Sequence, residues 1–557
     1  MMYTRLGRNT VNAVRLAEIM QVLVRHGFAD LLNRAGFYDG LPARLLQGLN
    51  LMNAPVGEAA TLGQRLREAL AELGPTFVKM GQILSTRPDL VGASISQELV
   101  SLQDRVPPLP WEIMSLRIEE ALNVPLDEVF ASIDQKAVAS ASLSQVYRAV
   151  LRTGEQVAVK VQRPDIEKAI ESDLSLMRSA AEWIADHLEE TRLFDPVGIV
   201  DEFARSIRRE LDFTIEAMVV EQFARNFADD PRVIIPRVHR QHSSRRLLML
   251  EWIDGVRADS LEDYPGRNSD PKTVAVQGCE ILCRMVFEHR LFHADPHPGN
   301  IFVVNDNRIA FLDLGMAGHL EEADIVLIAD LFHAIFRGDS RACMEAVLQL
   351  TAQGDPDRPE ALQHELAEFI AFEAPAIISG GRALRGLEAT VQIMRRHNLE
   401  PAPRFSLLIK GLATIEVVGR SLCPDLDMLP ILQPYLQRIV LARYSPSSLL
   451  AQAQAQAGSL ARLGRQAPED ITVLLRQLRR GKLKFQIHHE HLENLSNTID
   501  RSSKRNAVAM VIAALVVGSS LLVTTNSSMV HLGVAGYLVA GALGFMLVIS
   551  ILWGKGI

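Results

Sequence analysis

The sequence predicts a helix-rich α+β fold of two lobes, preceded by a helical extension and followed by an apolar helical hairpin. Three observations predict it. A strand–turn–strand pattern at residues 138–161 is set among long helical stretches. A polar loop at 292–300 is followed by two short apolar strands. Two uncharged segments then follow residue 506.

At 557 residues the chain is too long for one ordinary core. The composition shifts divide it into an extension at 1–110, a first lobe at 111–255 and a second lobe at 256–444, then a connector with a basic amphipathic helix at 445–505 and a hairpin at 506–557. In the extension, Leu16 to Leu32 has apolar residues at mixed helical spacing, and Asn53 to Gly57 reads as a loop. Helices are expected over 62–104, broken at Gly74-Pro75, with Leu73, Phe77, Met80, Ile83 and Leu84 marking the apolar face. The stiff connector Val106 to Pro110 leads to a helix at Trp111–Leu122. Strands Val146–Leu151 and Val157–Val161 flank a turn at Gly154, and helices follow at Ile166–Glu190 and Pro196–Phe227. An apolar strand, Leu247–Ile253, ends at Asp254-Gly255, a hinge between lobes. Helix Pro271–Arg290, strands Ile301–Val304 and Ile309–Leu312, and helices through 320–440 complete the second lobe. Beyond the Ala-, Gln- and Ser-rich stretch 445–464, residues 468–500 are amphipathic. Their basic middle (Arg476, Arg479, Arg480, Lys482, Lys484) suits either a solvated face or anionic lipid.

A net charge of −8 and a pI near 6.0 argue against general nucleic-acid binding. Four scattered cysteines (Cys279, Cys283, Cys343, Cys423) form neither a disulfide framework nor a zinc pattern, which fits a reducing compartment. The first fifteen residues lack the long apolar core and cleavage site of a secretory signal. Ala507 to Val523 and Val530 to Trp553 are free of Asp, Glu, Lys and Arg. At about 1.5 Å per residue the second comfortably crosses a ~30 Å hydrocarbon layer and the first is near the minimum. Arg501, Lys504 and Arg505 precede this pair and Lys555 follows it, whereas the turn between carries no charge. The positive-inside rule then places both ends and the large domain on the cytoplasmic side of a two-pass anchor. Gly536, Ala540 and Gly544 lie at small-residue spacing suited to close helix packing.

The chemistry concentrates in Phe292-His293-Ala294-Asp295-Pro296-His297-Pro298-Gly299-Asn300 and in Asp313-Leu314-Gly315. An Asp, an Asn five positions on, and an Asp-x-Gly after an apolar strand assemble a phosphoryl-transfer centre in a kinase-like site. Asp295 would orient the nucleophile; Asn300 and Asp313 would give Mg²⁺ the hard oxygens it prefers. Val157-Ala158-Val159-Lys160 matches the strand motif whose lysine reaches nucleotide phosphates. The Gly-rich loop is absent. Val138, Ala139, Ser140, Ala141, Ser142, Leu143, Ser144, Gln145 and Val146 stand in its place, a stiffer nucleotide-covering segment with less access to positive φ and extra hydroxyl donors. Lys79-Met80-Gly81-Gln82 lies in the extension. Glu210, Asp212 and Glu216 are expected on one helix, with Asp212 and Glu216 sharing a face.

In this order, the motifs closely resemble those of the UbiB family of atypical kinase-like proteins: K-x-G-Q (Lys79, Gly81, Gln82), an Ala-rich loop (Ala139 to Ser142), Lys160, E-x-D (Glu210, Asp212), D-x-x-x-x-N (Asp295, Asn300) and D-x-G (Asp313, Gly315). Ser140 interrupts the alanines, and Leu314 replaces the usual Phe. The resemblance implies a bilobal protein-kinase-like fold with a C-terminal transmembrane hairpin, and Glu216 as the partner of Lys160. It also implies ATP and Mg²⁺ as cofactors, and a K-x-G-Q segment folded over the place where a protein kinase receives its peptide. The expected activity is that of an ATPase or atypical kinase at a bacterial inner membrane that supports ubiquinone biosynthesis, acting on water or a small lipid-like acceptor. The expected partners are membrane lipid, quinone precursors, other quinone-biosynthesis proteins and a second copy of the chain. A protein or small-molecule kinase of that pathway and a nucleotide-binding pseudokinase scaffold are the alternatives.

Overall fold

In the computed structural model, the described residues are 10–29, 61–85, 91–102, 106–187, 195–443 (apart from 355, 357, 381 and 382), 492–525 and 530–552. The basic stretch around Arg476 to Lys484 and the segment from Thr86 to Asp89 lie outside them. The chain divides into one unit ending at Leu449 and another beginning at Leu450.

The first unit opens with α1 (Thr10–Arg25), α2 (Leu62–Leu73), α3 (Pro75–Ser85) and α4 (Ala93–Leu99). Thr61 caps α2 in a capping box with Gln64. Gly74 then takes φ +99°, a backbone state that a glycine reaches without strain, and the chain turns directly into α3. After α5 (Trp111–Leu122) comes an antiparallel sheet. It orders β1 (Phe130–Ile133), β3 (Ser144–Leu151), β4 (Gln156–Gln162) and β6 (Leu247–Glu251), with β2 (Ala139–Ser140) on the edge of β3. Alternation along β4 sends Val157, Val159 and Val161 into a core shared with Met114, Ile118 and Tyr147, and turns Lys160 to the opposite face.

Helices α6 (Ile166–His187) and α7 (Pro196–Glu210) share an apolar core with the extension, through Ile170, Leu174, Phe203 and Ile207 against Leu70, Phe77 and Leu99. The single helix expected over 196–227 is two. At the junction Asp212 leaves helical geometry and caps α8 (Phe213–Asn226), its carboxylate accepting from the Thr214 amide and hydroxyl. A carboxylate at this position satisfies otherwise orphaned amides, and that local gain ends one helix and starts the next.

The second lobe holds a four-stranded sheet, β5 (Val233–Ile234), β10 (Arg308–Phe311), β9 (Ile301–Val304) and β7 (Val256–Arg257), in that spatial order. Helix α9 (Pro271–Cys283) runs into a π-helical turn, Arg284–Glu288, just before β8 (Leu291–His293), which pairs with β11 (Ala317–His319). Behind these strands α10 (Glu322–Arg337), α11 (Ser340–Leu350), α12 (Pro359–Glu368), α13 (Ala383–Arg396), α14 (Pro403–Leu422) and α15 (Leu429–Arg443) build one continuous core. Cys279, Cys283 and Cys343 are buried in it as thiols. The fold is thus helix-rich α+β with kinase-like lobes.

In the second unit, α16 (Leu492–Thr525) and α17 (Val530–Leu552) contain windows long and apolar enough to cross a membrane, Asn506–Thr524 and Val530–Val548. Their contact differs from the expected small-residue stripe. Gly533 and Gly536 lie against Ser519, where a methyl group on Gly536 would strike the Ser519 hydroxyl, and Ala540 is buried, but Gly544 faces open space.

Candidate active site

Lys160 projects from β4 between two carboxylates. Its ammonium donates to Glu216 Oε1 and Oε2 at 2.8 and 2.9 Å and to Asp313 Oδ1 at 3.2 Å, with its Nζ 5.5 Å from the centre of the Phe213 ring. Glu216 reaches it from the first turn of α8. Burial pushes the Glu216 carboxyl up to about 6 against the pull of Lys160, with Asp313 and Glu210 also raising it. Asp313 is held down to about 2, first by the Lys160 ammonium, with His293 and Lys79 contributing. Its side chain remains 54 % exposed, and its backbone sits at φ +49°. That conformation is uncommon outside glycine but tolerated by Asp, and it follows directly on β10. Gly315 belongs to this corner too, since a Cβ there would lie 3.3 Å from Asp313 Oδ1.

The extension contributes directly. Lys79 of α3 pairs with Glu210 at 2.6 Å. Gly81 permits this placement, because a side chain there would collide with Leu102 and lie 2.9 Å from Leu70. Gln82 Nε2 donates instead to the Leu102 carbonyl, at 3.4 Å. Asp212 does not join Lys79: besides capping α8, it lies 3.9 Å from Arg245.

The segment expected to cover a nucleotide is a compact hairpin, with Val138 N donating to Val146 O and Ala139 and Ser140 registered against Val146 and Gln145. Ser142, Leu143, Ser144 and Gln145 are buried, while Val138 and Ala139 are exposed. The Gln145 amide is committed to the Leu109 backbone and the Tyr147 hydroxyl, each at 2.9 Å. A residue that sequence reasoning missed fixes the hairpin: Arg163 donates to the Ala141 carbonyl, the Ser140 hydroxyl and the Pro107 carbonyl. Nothing in its local pattern distinguishes it from an ordinary basic residue at the end of a strand.

The residues expected to form a catalytic loop gather after β8. Buried His293 is held neutral, its pKa lowered to about 4 mainly by desolvation, and its Nδ1 accepts the Asp295 amide at 3.3 Å. Asn300 ends a 3₁₀ turn and uses Nδ2 on the Asp295 carbonyl at 3.3 Å, so that its amide oxygen is presented as the acceptor. Asn300 and Asp313 therefore offer two hard oxygens. This small donor set fits Mg²⁺, which takes one or two protein ligands and completes its shell with phosphate and water. No group of three His, Cys, Asp or Glu side chains suited to a metal exists among the described residues. Asp295 itself meets Lys410 of α14, Nζ to Oδ1 at 3.2 Å, a second residue absent from the sequence reading.

The ABC1 atypical kinase-like domain matches residues 101–347, the UbiB helical domain 378–427 and the ABC1/UbiB kinase-like C-terminal domain 490–553. A protein of Cellvibrio japonicus named probable protein kinase UbiB is 36 % identical over 78 % of this chain and 79 % of its own length. The chain belongs to the UbiB family of atypical kinase-like proteins. A family member of the same name from Pseudomonas fluorescens (strain SBW25) is 39 % identical over 81 % of this chain and 85 % of its own. A solved complex of Rv3197 with erythromycin from Mycobacterium tuberculosis is 21 % identical, with a TM-score of 0.46, over 72 % of this chain and 96 % of that one. For this UbiB-family protein the kinase-like domain match spans Lys160, Glu216, Asp295, Asn300 and Asp313, while Lys79 precedes it and Lys410 falls in the helical domain.

Proposed function

We propose that this UbiB-family protein binds MgATP and transfers its terminal phosphoryl group to water or a small acceptor at a membrane, in support of ubiquinone biosynthesis. The observation that carries the reading is the ammonium of Lys160 held between Glu216 and Asp313, beside the Lys79–Glu210 pair of the extension. Lys160 would pair phosphate oxygens while Glu216 braces it. Asn300 and Asp313 would hold Mg²⁺, which offsets the phosphate charge when bound. Asp295 would orient the acceptor hydroxyl or water and receive its proton. The hairpin 138–146 would cover the nucleotide through backbone and small side chains, with Gln145 shaping it from behind.

Lys79 and Glu210 tie the extension to this corner of the site, which disfavours an extended peptide and favours a small or lipid-like acceptor. The apolar windows Asn506–Thr524 of α16 and Val530–Val548 of α17, flanked in sequence by Arg501, Lys504, Arg505 and Lys555, support a two-pass anchor in the bacterial inner membrane with the catalytic part on the cytoplasmic side. Membrane lipid, quinone precursors, other quinone-biosynthesis proteins and a second copy of the chain are the partners this reading assigns. The test is Mg²⁺-dependent ATP turnover by the full chain in lipid vesicles, with and without a phenolic quinone-like headgroup, beside the quinone profile of a deletion strain. Turnover that D313N abolishes, together with a quinone deficit, is expected. Tight nucleotide binding without turnover in every condition refutes the catalytic reading, and normal quinone levels refute the pathway.

A further inference from the structure

The contact between Lys410 and Asp295 joins the helical domain to the loop that orients the acceptor. Helix α14 is seated on that loop at close range: a Cβ on Gly411 would lie 2.9 Å from the His293 carbonyl oxygen. The neighbouring Leu408 and Leu412 are buried, so the backbone of Lys410 is anchored. Its long side chain nevertheless remains 35 % exposed, and that of Asp295 30 %. The loop from Asp295 to Asn300 contains no lysine or arginine of its own. On the nucleotide side, Lys160 serves Glu216 and Asp313; on the extension side, Lys79 serves Glu210. Among the described residues, Lys410 is the cation paired with Asp295.

We propose that Lys410 is a further catalytic residue, binding the terminal phosphoryl group of MgATP while it holds Asp295. This rests on the MgATP reading above. An ammonium has three donors, so it can keep Asp295 Oδ1 on one and present the others to phosphoryl oxygens. In the transfer the bond from the terminal phosphorus to the β–γ bridging oxygen breaks, with ADP leaving on that oxygen. A bond to the acceptor oxygen forms, and the acceptor proton passes to Asp295. Lys410 keeps its protons throughout and supplies only charge, where negative charge crowds between the incoming oxygen and the phosphoryl group.

The experiment compares wild type, K410R and K410Q as full-length protein in vesicles, titrating MgATP and MgADP separately and measuring turnover and melting temperature. K410Q should bind MgADP like wild type, bind MgATP about 10-fold more weakly, and turn over about 100-fold more slowly. K410R should restore most of the preference for MgATP. A K410Q protein with unchanged turnover and unchanged preference overturns the inference. So does an equal loss for both nucleotides with a lowered melting temperature, the mark of a mere strut between α14 and the loop. A wild type that binds neither nucleotide brings down the MgATP reading and this inference together, so the two failures are distinct.

Discussion

Replacing Asp230 with asparagine tests how the second lobe holds β8. The Asp230 carboxylate, 4 % exposed, accepts from Arg232 at 2.9 and 3.0 Å and from Arg284 at 2.5 Å. Arg284 opens the π-helical turn that delivers β8. Hydrogen bonds from Arg232 and its charge, with a further hydrogen bond from Arg284, outweigh burial and hold the Asp230 pKa at about 2, against an ordinary value of 3.8. A depressed carboxylate stabilises the fold above its unfolded pKa, and this contribution fades as pH falls toward the folded value. The gap corresponds to about 2 kcal/mol at neutral pH, of which about half is gone by about pH 3. Glu280 and Glu288 still pair Arg232 and Arg284 in D230N, which keeps the loss near that figure. Melting of the full chain in detergent should drop by a few degrees at pH 7. The difference from wild type should narrow as pH is lowered from 4 toward 3. An unchanged melting temperature at pH 7, or a difference that stays constant down to pH 3, refutes the reasoning.

Removing the ammonium in K160A should leave Asp313 facing buried Glu216 without a counter-charge and cut MgATP turnover at least about 100-fold, checked by steady-state kinetics. G81A forces a methyl group into Leu70 and Leu102 and should cost roughly 1–3 kcal/mol, read by thermal melting; unaltered stability would show that the packing of α3 has room to give. D212A removes the cap of α8 and should cost about 1 kcal/mol, whereas D212N should retain most of it. Equal losses in the two proteins would assign Asp212 a role other than capping.

The lobes were legible because β4 alternates apolar residues about Lys160 and because Gly74-Pro75 punctuates the extension. Local pattern suffices for both. The two apolar C-terminal helices were legible from the loss of charge alone. Its contact face was less so, because spacing marks Gly536, Ala540 and Gly544 equally and only the crossing of the helices brings Gly533 in and leaves Gly544 out. Helical spacing ran Glu210, Asp212 and Glu216 together, since apolar periodicity continues through the junction and cannot register that Asp212 binds backbone amides. Lys410 was illegible for another reason. It lies far along the chain from Asp295, on a helix whose neighbours read as ordinary core, and only tertiary packing brings the two together. Arg163 is the same case on a smaller scale.

The break at Asp212 leaves two short levers where one long rod was expected. Glu210 ends α7, which packs with the extension in a shared core, whereas Glu216 lies on α8, anchored to the strands by Phe213, Ala217 and Leu248. A single rod would have fixed the Lys79 pair and the brace on Lys160 in one rigid register. With a capped joint between them, the Lys79–Glu210 pair and the Lys160–Glu216 pair sit on separate helices, so the two contacts are positioned independently.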